Sequence, residues 1–329
     1  MSLKGTVMAL VSSGIIAGTS TLLAVDSELF EETSKNELRY KGVLPKKVKT
    51  VAMLSTASYP GHPSQKQGMA LIEKAGYKIK VGKHAFDLPR NGMSSSSWEG
   101  RLEDFYTAWN DPEVDMILCI RGGEGTFEML EHLDWSRLKE RPELIVMGYS
   151  DVTLLLCALQ NKKMGHPVAG PMCGSMTGVT QASIDEMKKV FHFETVGPIR
   201  LTTLVPGNVK GLPLVGHLER LRRNWNTELR ADVKDRVVFL ECVNKKTEQI
   251  KEFMNELYDK GFFKEVAGVV FCHFTGIEPA KELHEFLDKF AKKIGKPAYK
   301  GFPFGHDAQC FTIDFARPVV IENGELKIP

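Results

Sequence analysis

The chain has 329 residues, 43% hydrophobic and 26% charged, with a net charge of +2. That is ordinary globular composition, long enough for one large or two medium domains. Charges of both signs run throughout, which excludes a basic stripe for nucleic acid, and no acidic tail or low-complexity tract points to extended disorder.

The first 43 residues read as an extension. Lys4 precedes a mildly apolar stretch, Val7–Val25, with the small residue Ala24 near its end and polar sequence from Asp26 to Lys41. That order resembles a secretory signal, and an N-terminal element packed on the fold is the alternative. Ser, Thr and Gly dilute the stretch too much for a membrane span.

From there strands and helices alternate. Val48–Ser55 reads as a buried strand, Ser64–Ala75 as a helix ended at Gly76, and Tyr77–Val81 as a second strand. Ser96–Asn110 reads as a helix with serine N-caps and Glu99 in its first turn. Val114–Ile120 is a third strand, Thr126–His132 a short helix, Leu144–Met147 a fourth strand and Asp151–Lys162 its helix. Apolar strands separated by helices predict a parallel sheet covered on both faces, an α/β domain over residues 44–200. Three prolines and three glycines in Gly197–Pro213 break the rhythm and place a boundary there. The second domain, 201–329, is smaller and mixed. It holds strands at Val237–Glu241 and Val266–Cys272 and helices at Thr247–Tyr258 and Ala280–Lys293. Alternation over Phe311–Ile328 with Asn323-Gly324 in its midst predicts a hairpin. The six cysteines form no C-x-x-C pair, and most sit in apolar runs, so buried free thiols are expected.

The chemistry concentrates at strand ends. Leu144–Met147 runs into Gly148-Tyr149-Ser150-Asp151 and then directly into a helix. Ser150 is therefore either the cap of that helix or a nucleophile on a strand-to-helix turn, with helix N–H groups aimed at its target. The second glycine of a nucleophile elbow is absent, Val152 taking its place. Arg121-Gly122-Gly123-Glu124-Gly125 follows the third strand and lies at the same sheet edge, where Gly122 or Gly123 could donate to an oxyanion or simply form a turn. Among nine histidines, His306 stands out in the Gly- and Pro-rich loop 301–307, with His273 at a strand end as runner-up; the others read as surface residues. Glu241 ends the apolar strand VVFLE and needs a partner if buried, so it could orient a histidine. No His or Cys pair falls at metal-ligand spacing, and no cofactor is expected.

These residues resemble the LD-carboxypeptidase family of serine peptidases, which includes muramoyltetrapeptide carboxypeptidases and microcin-immunity peptidases. The matching segments stand in family order. Ile120-Arg121-Gly122-Gly123-Glu124-Gly125 comes first, followed by Leu133-Asp134-Trp135 and then Gly148-Tyr149-Ser150-Asp151-Val152-Thr153. Ala169-Gly170-Pro171-Met172, Phe239-Leu240-Glu241 and Phe304-Gly305-His306 complete the series. The likeness covers roughly residues 44–329, and R-G-G-x-G followed by G-x-S-D-x-T is specific as a pair.

The resemblance implies a flavodoxin-like parallel-sheet N-terminal domain, a smaller mixed α/β C-terminal domain, an active site between them and a homodimer. It implies Ser150 as nucleophile, His306 as general base and Glu241 as orienting acid, with Asp151 and Gly123 as backbone oxyanion donors. The implied substrate is a muropeptide with a terminal D-amino acid, and the implied location is cytoplasmic, or periplasmic if the N-terminal stretch is a signal. The family's Gly-Gly-Asn-Leu turn is replaced here by Val215-Gly216-His217-Leu218, and the segment continues through charge to Trp225. Arg121, Arg222 and Arg223 are candidates for the substrate's carboxylate, since Arg offers a bidentate fork. Trp225 could stack on a base if the substrate were an aminoacyl- or peptidyl-nucleotide analogue, as for microcin-immunity relatives. A non-catalytic cell-wall-peptide binding protein is the reading of another class.

Overall fold

A computed structural model describes residues 38–89 and 95–329. The stretch Val7–Val25 and the cut near Ala24 lie outside the described residues. The first sheet is built from β1 (Thr50–Leu54), β2 (Lys78–Val81), β3 (Met116–Cys119), β4 (Ile145–Gly148) and β5 (His166–Ala169), parallel in the order β2-β1-β3-β4-β5. This is the flavodoxin-like order. Every residue of β1, β3 and β4 is buried, because helices cover both faces of a parallel sheet. The edge strand β2 keeps its lysines accessible, a usual guard against pairing with other chains. The helices are α1 (Pro63–Lys74), α2 (Trp98–Asn110), α3 (Thr126–Glu131), α4 (Thr153–Lys162), α5 (Cys173–Met176) and α6 (Gln181–Phe191).

The helix expected from Asp151 begins two residues later. Ser150–Val152 forms a 3-10 turn, and α4 follows at Thr153. Strand β5 has no counterpart among the elements expected from sequence; His-Pro-Val-Ala nonetheless pairs with β4 from His166 to Ala169.

The segment that breaks the sequence rhythm supplies β6 (Val196–Arg200), β7 (Thr202–Val205) and β8 (Val209–Gly211). Next come β9 (Pro213–His217), α7 (Leu218–Asn224), β10 (Val237–Val243), α8 (Thr247–Asp259), β11 (Gly268–Thr275), α9 (Ala280–Ile294) and β12 (Ala298–Lys300). The last strands are β13 (Ile313–Asp314), β14 (Val319–Glu322) and β15 (Glu325–Ile328). The second sheet has the order β7-β12-β11-β10-β9, parallel except for β7. The expected hairpin is β14–β15, turning at Asn323 and Gly324; it joins β6 and β8 in a four-stranded antiparallel sheet. Strand β13 returns to the first sheet and pairs antiparallel with β5, and His166 Nε2 donates to Asp314 Oδ1 across that edge at 2.8 Å. All six cysteines are buried and free. No helix among the described residues is long and apolar enough to cross a membrane.

Candidate active site

Ser150 follows β4 at the carboxyl edge of the first sheet. Its φ is +62°, a left-handed conformation that a non-glycine residue adopts at some energetic cost. It therefore caps neither the 3-10 turn nor α4, whose flanking residues are Tyr149 and Val152. Thr153 Oγ1 donates to the Ser150 carbonyl at 2.5 Å and holds the turn. Val152 fits where an elbow would carry its second glycine because Gly148 leaves room: a Cβ on Gly148 would lie 2.6 Å from Val152 Cγ1.

Glu241 is fully buried on β10, where the register with β11 shifts between Leu240 and Cys242. Such irregularities re-aim side chains next to sites. His306 Nδ1 lies 2.8 Å from Glu241 Oε2, and Nε2 lies 3.0 Å from Ser150 Oγ. A carboxylate only accepts, so Nδ1 carries the proton and donates to it. In the neutral ring Nε2 then accepts from the Ser150 hydroxyl. The Tyr149 ring packs 5.0 Å from the His306 ring. The structure thus brings together Ser150, Glu241 and His306, residues up to 156 positions apart. His273 does not join them: its Nδ1 faces Asp307 Oδ2 at 2.9 Å.

The glycine loop after β3 meets the same serine. A Cβ on Gly122 would stand 3.0 Å from Ser150 Cβ and 3.1 Å from its Oγ, so any larger residue there would make the serine give way. Asp151 is 2% exposed; its Oδ2 accepts from the Thr126 N–H at 2.9 Å, and its Oδ1 is 2.9 Å from Arg220 Nε. Burial raises the Asp151 carboxyl above the usual range, with Arg220 pulling the other way.

A cleft of about 480 Å³ opens over Ser150 and His306, lined also by Arg121, His217, Arg220 and Lys245. Arg121 lies in it, but its guanidinium turns to the Gly122 and Tyr59 carbonyls. Lys245 Nζ pairs with Glu219 at 3.0 Å. Arg222, Arg223 and Trp225 are not part of the cleft lining. Arg222 pairs with Glu256 at 2.6 Å and stacks over Phe253, because α7 turns this residue towards α8. Arg223 is half-exposed, 3.7 Å from Glu124, beside a neighbouring cavity. Trp225 packs edge-on against Phe262 and donates to the Lys260 carbonyl.

Sequence reasoning misses several residues of the cleft, His217, Arg220 and Lys245 among them. His217, expected on the surface, is only 4% exposed, with its ring edge-on to His306 at 5.9 Å. Burial lowers its pKa, the Glu241 charge opposing and His306 adding to the shift, and Nδ1 has no partner. Its signal is present in the sequence: it is a polar residue at the end of the apolar strand β9, whereas Glu241, expected to end its strand, lies inside β10, which runs on to Val243. Arg220 stands in a short run with Arg222 and Arg223, and nothing singles it out. Among the described residues, no group of three or more His, Cys, Asp or Glu side chains converges as metal ligands would.

Residues 51–169 match the family model of the LD-carboxypeptidase N-terminal domain, and residues 210–321 that of the LD-carboxypeptidase C-terminal domain. The chain is 28% identical over 302 residues to a protein named probable murein peptide carboxypeptidase from Bacillus subtilis, covering 88% of this chain and 93% of that one. It is 24% identical to the murein tetrapeptide carboxypeptidase of Pseudomonas aeruginosa, over 84% of this chain and 94% of that one. A solved structure of an MccF-like protein from Bacillus anthracis shares the fold with a TM-score of 0.76 at 22% identity, covering 87% of this chain and 98% of that one.

Proposed function

The chain belongs to the LD-carboxypeptidase family, and from that premise we propose that it is a serine carboxypeptidase. Its proposed reaction hydrolyses the bond between an L-centre and a terminal D-amino acid, D-Ala, in a cell-wall muropeptide. The observation that carries this reading is the continuous chain of hydrogen bonds from Ser150 through His306 to Glu241. A polar cleft above it and relatives named for murein peptides support the substrate class.

In the proposed mechanism Ser150 Oγ attacks the scissile carbonyl as its proton passes to His306 Nε2. Glu241 holds the ring and stabilises the imidazolium. The carbonyl oxygen becomes an oxyanion, received by the backbone N–H of Asp151 and of Gly123; one such donor is typically worth about 3 kcal/mol of barrier. The C–N bond breaks as His306 protonates the leaving amine, and the D-amino acid departs. Water, deprotonated by His306, then hydrolyses the acyl-enzyme. Of the cations expected to meet the substrate carboxylate, Arg121 lies in the cleft, and Lys245 offers a second, shared with Glu219. For the nucleotide-analogue reading, Trp225 lies outside the cleft over Ser150, packed edge-on against Phe262 beside a separate pocket.

The test is incubation with a muropeptide mixture followed by mass spectrometry. Loss of a single D-Ala from tetrapeptides is expected. An unchanged mixture, with Ser150 still labelled by a serine-directed phosphonate, would move the substrate elsewhere. Absence of labelling in the folded protein would favour a binding protein.

A further inference from the structure

We infer that Arg220 is a positioning residue that clamps both backbone segments of the proposed oxyanion hole with one guanidinium. The inference rests on the serine-hydrolase reading and concerns a residue outside its hydrogen-bonded chain. Arg220 extends from α7, and its side chain is 12% exposed. Its Nε meets Asp151 Oδ1 at 2.9 Å, and its Nη2 donates to the Gly123 carbonyl at 2.8 Å. Nη2 also reaches Glu124 Oε1 at 3.4 Å. Asp151 is the residue after the nucleophile, and Gly123 lies in the loop packed against it. Asp151 closes the circuit through Oδ2, which accepts from the Thr126 N–H at the end of the same loop.

This clamp answers a physical need. Consecutive glycines permit the approach to Ser150, but they also leave the loop many backbone conformations. An N–H contributes to catalysis only if it already points at the developing charge. The peptide plane that carries the Gly123 N–H is held on one side, where Arg121 Nε donates to the Gly122 carbonyl at 3.0 Å, and Arg220 anchors the next plane through the Gly123 carbonyl, so the two rotations about the Gly123 Cα are fixed from both ends. A guanidinium suits such a role because it is planar and presents several donors in a fixed fork. The clamp also joins the two halves of the site. α7 begins directly after β9, and β9 pairs with β10 so that His217 stands opposite Glu241. Arg220 therefore sets the oxyanion loop in register with the strand that holds the orienting acid.

The experiment compares the parent with Arg220→Ala, measuring kcat and KM on a D-Ala-terminated tetrapeptide together with the rate of phosphonate labelling. Arg220→Ala is expected to lower kcat and the labelling rate together by about 10- to 100-fold, the scale of a misplaced donor, with KM changed by less than about 2-fold. Added guanidinium ion should restore part of the rate in Arg220→Ala and none in Ser150→Ala. Arg220→Lys keeps the charge but loses the fork. It should fall between the two, and it serves if the alanine variant does not fold. Parental kcat and labelling in either folded variant would overturn the inference, as would a change confined to KM, which would make Arg220 a substrate contact. Failure to label the parent would instead defeat the serine-hydrolase reading itself.

Discussion

The two sides of the cleft are built on opposite principles. The first sheet contributes through backbone: a serine at φ +62°, a glycine loop packed against it, and a helix start behind it. The second sheet contributes through side chains, a buried glutamate and a histidine in ordinary conformations, joined by a 2.8 Å hydrogen bond. Backbone strain is concentrated at the serine, and burial at the glutamate. Substitutions on the first side should therefore act through geometry and those on the second through charge.

The sharpest break is Ser150→Ala, expected to lower kcat by about 10⁴-fold or more with the thermal midpoint unchanged or raised, since alanine changes only the hydroxyl. His306→Ala should match it; turnover near the parental rate in either would remove the proposed triad. Glu241→Gln should keep the fold yet lower kcat by about 10³- to 10⁴-fold, because an amide can turn a donor to Nδ1 and select the wrong imidazole tautomer. Gly122→Ala tests geometry alone. Its Cβ would press on Ser150 at 3.0 Å, and a fall in kcat of about 10²-fold is expected while circular dichroism stays unchanged.

A second buried glutamate separates charge handling from burial. Glu186 on α6 accepts from the Thr312 N–H at 2.7 Å, and burial pushes its pKa up to about 8. Unfolded, it would ionise near 4.5. Between those values the folded state keeps a proton that the unfolded state has lost, so this group's contribution to stability falls as pH rises from about 5 to 8. Glu186→Gln should flatten that slope in a series of thermal melts without altering kcat; an unchanged slope would mean that Glu186 is already ionised. The smallest effect is expected at Arg222→Ala, which should cost about 1 kcal/mol of stability by losing Glu256 and Phe253. Its kcat/KM should stay within about 2-fold, where a larger loss would restore Arg222 as a substrate contact.

Legibility in the sequence followed the same division. The strands β1, β3 and β4 could be read because burial on both faces leaves unbroken apolar runs, and the residues at their ends were conspicuous for that reason. Strand β5 could not, since Pro167 and Gly170 mimic a turn and only its neighbours make it a strand. In the sheet of β6, β8, β14 and β15 only the β14–β15 hairpin was legible; β6 and β8 join it from more than a hundred residues away, which no local pattern encodes. At the site, Ser150 follows an apolar strand, Glu241 interrupts one and His306 stands in a Gly- and Pro-rich loop, so each was conspicuous. The left-handed Ser150 was hidden, because serine commonly caps helices. Arg220, Arg222 and Arg223 are alike as letters. Their roles diverge because these positions on α7 face the cleft, α8 and a neighbouring cavity.

Strand β13 carries a consequence for how the molecule is made. The sheet that bears Ser150 receives its last strand from residues 313–314, after the whole second sheet has been synthesised. During translation β5 therefore waits with an unpaired edge, and His166 without Asp314, until β13 has left the ribosome. A nascent chain cannot complete the sheet that carries Ser150 ahead of the rest, so that sheet closes only after Glu241 and His306 have also been made.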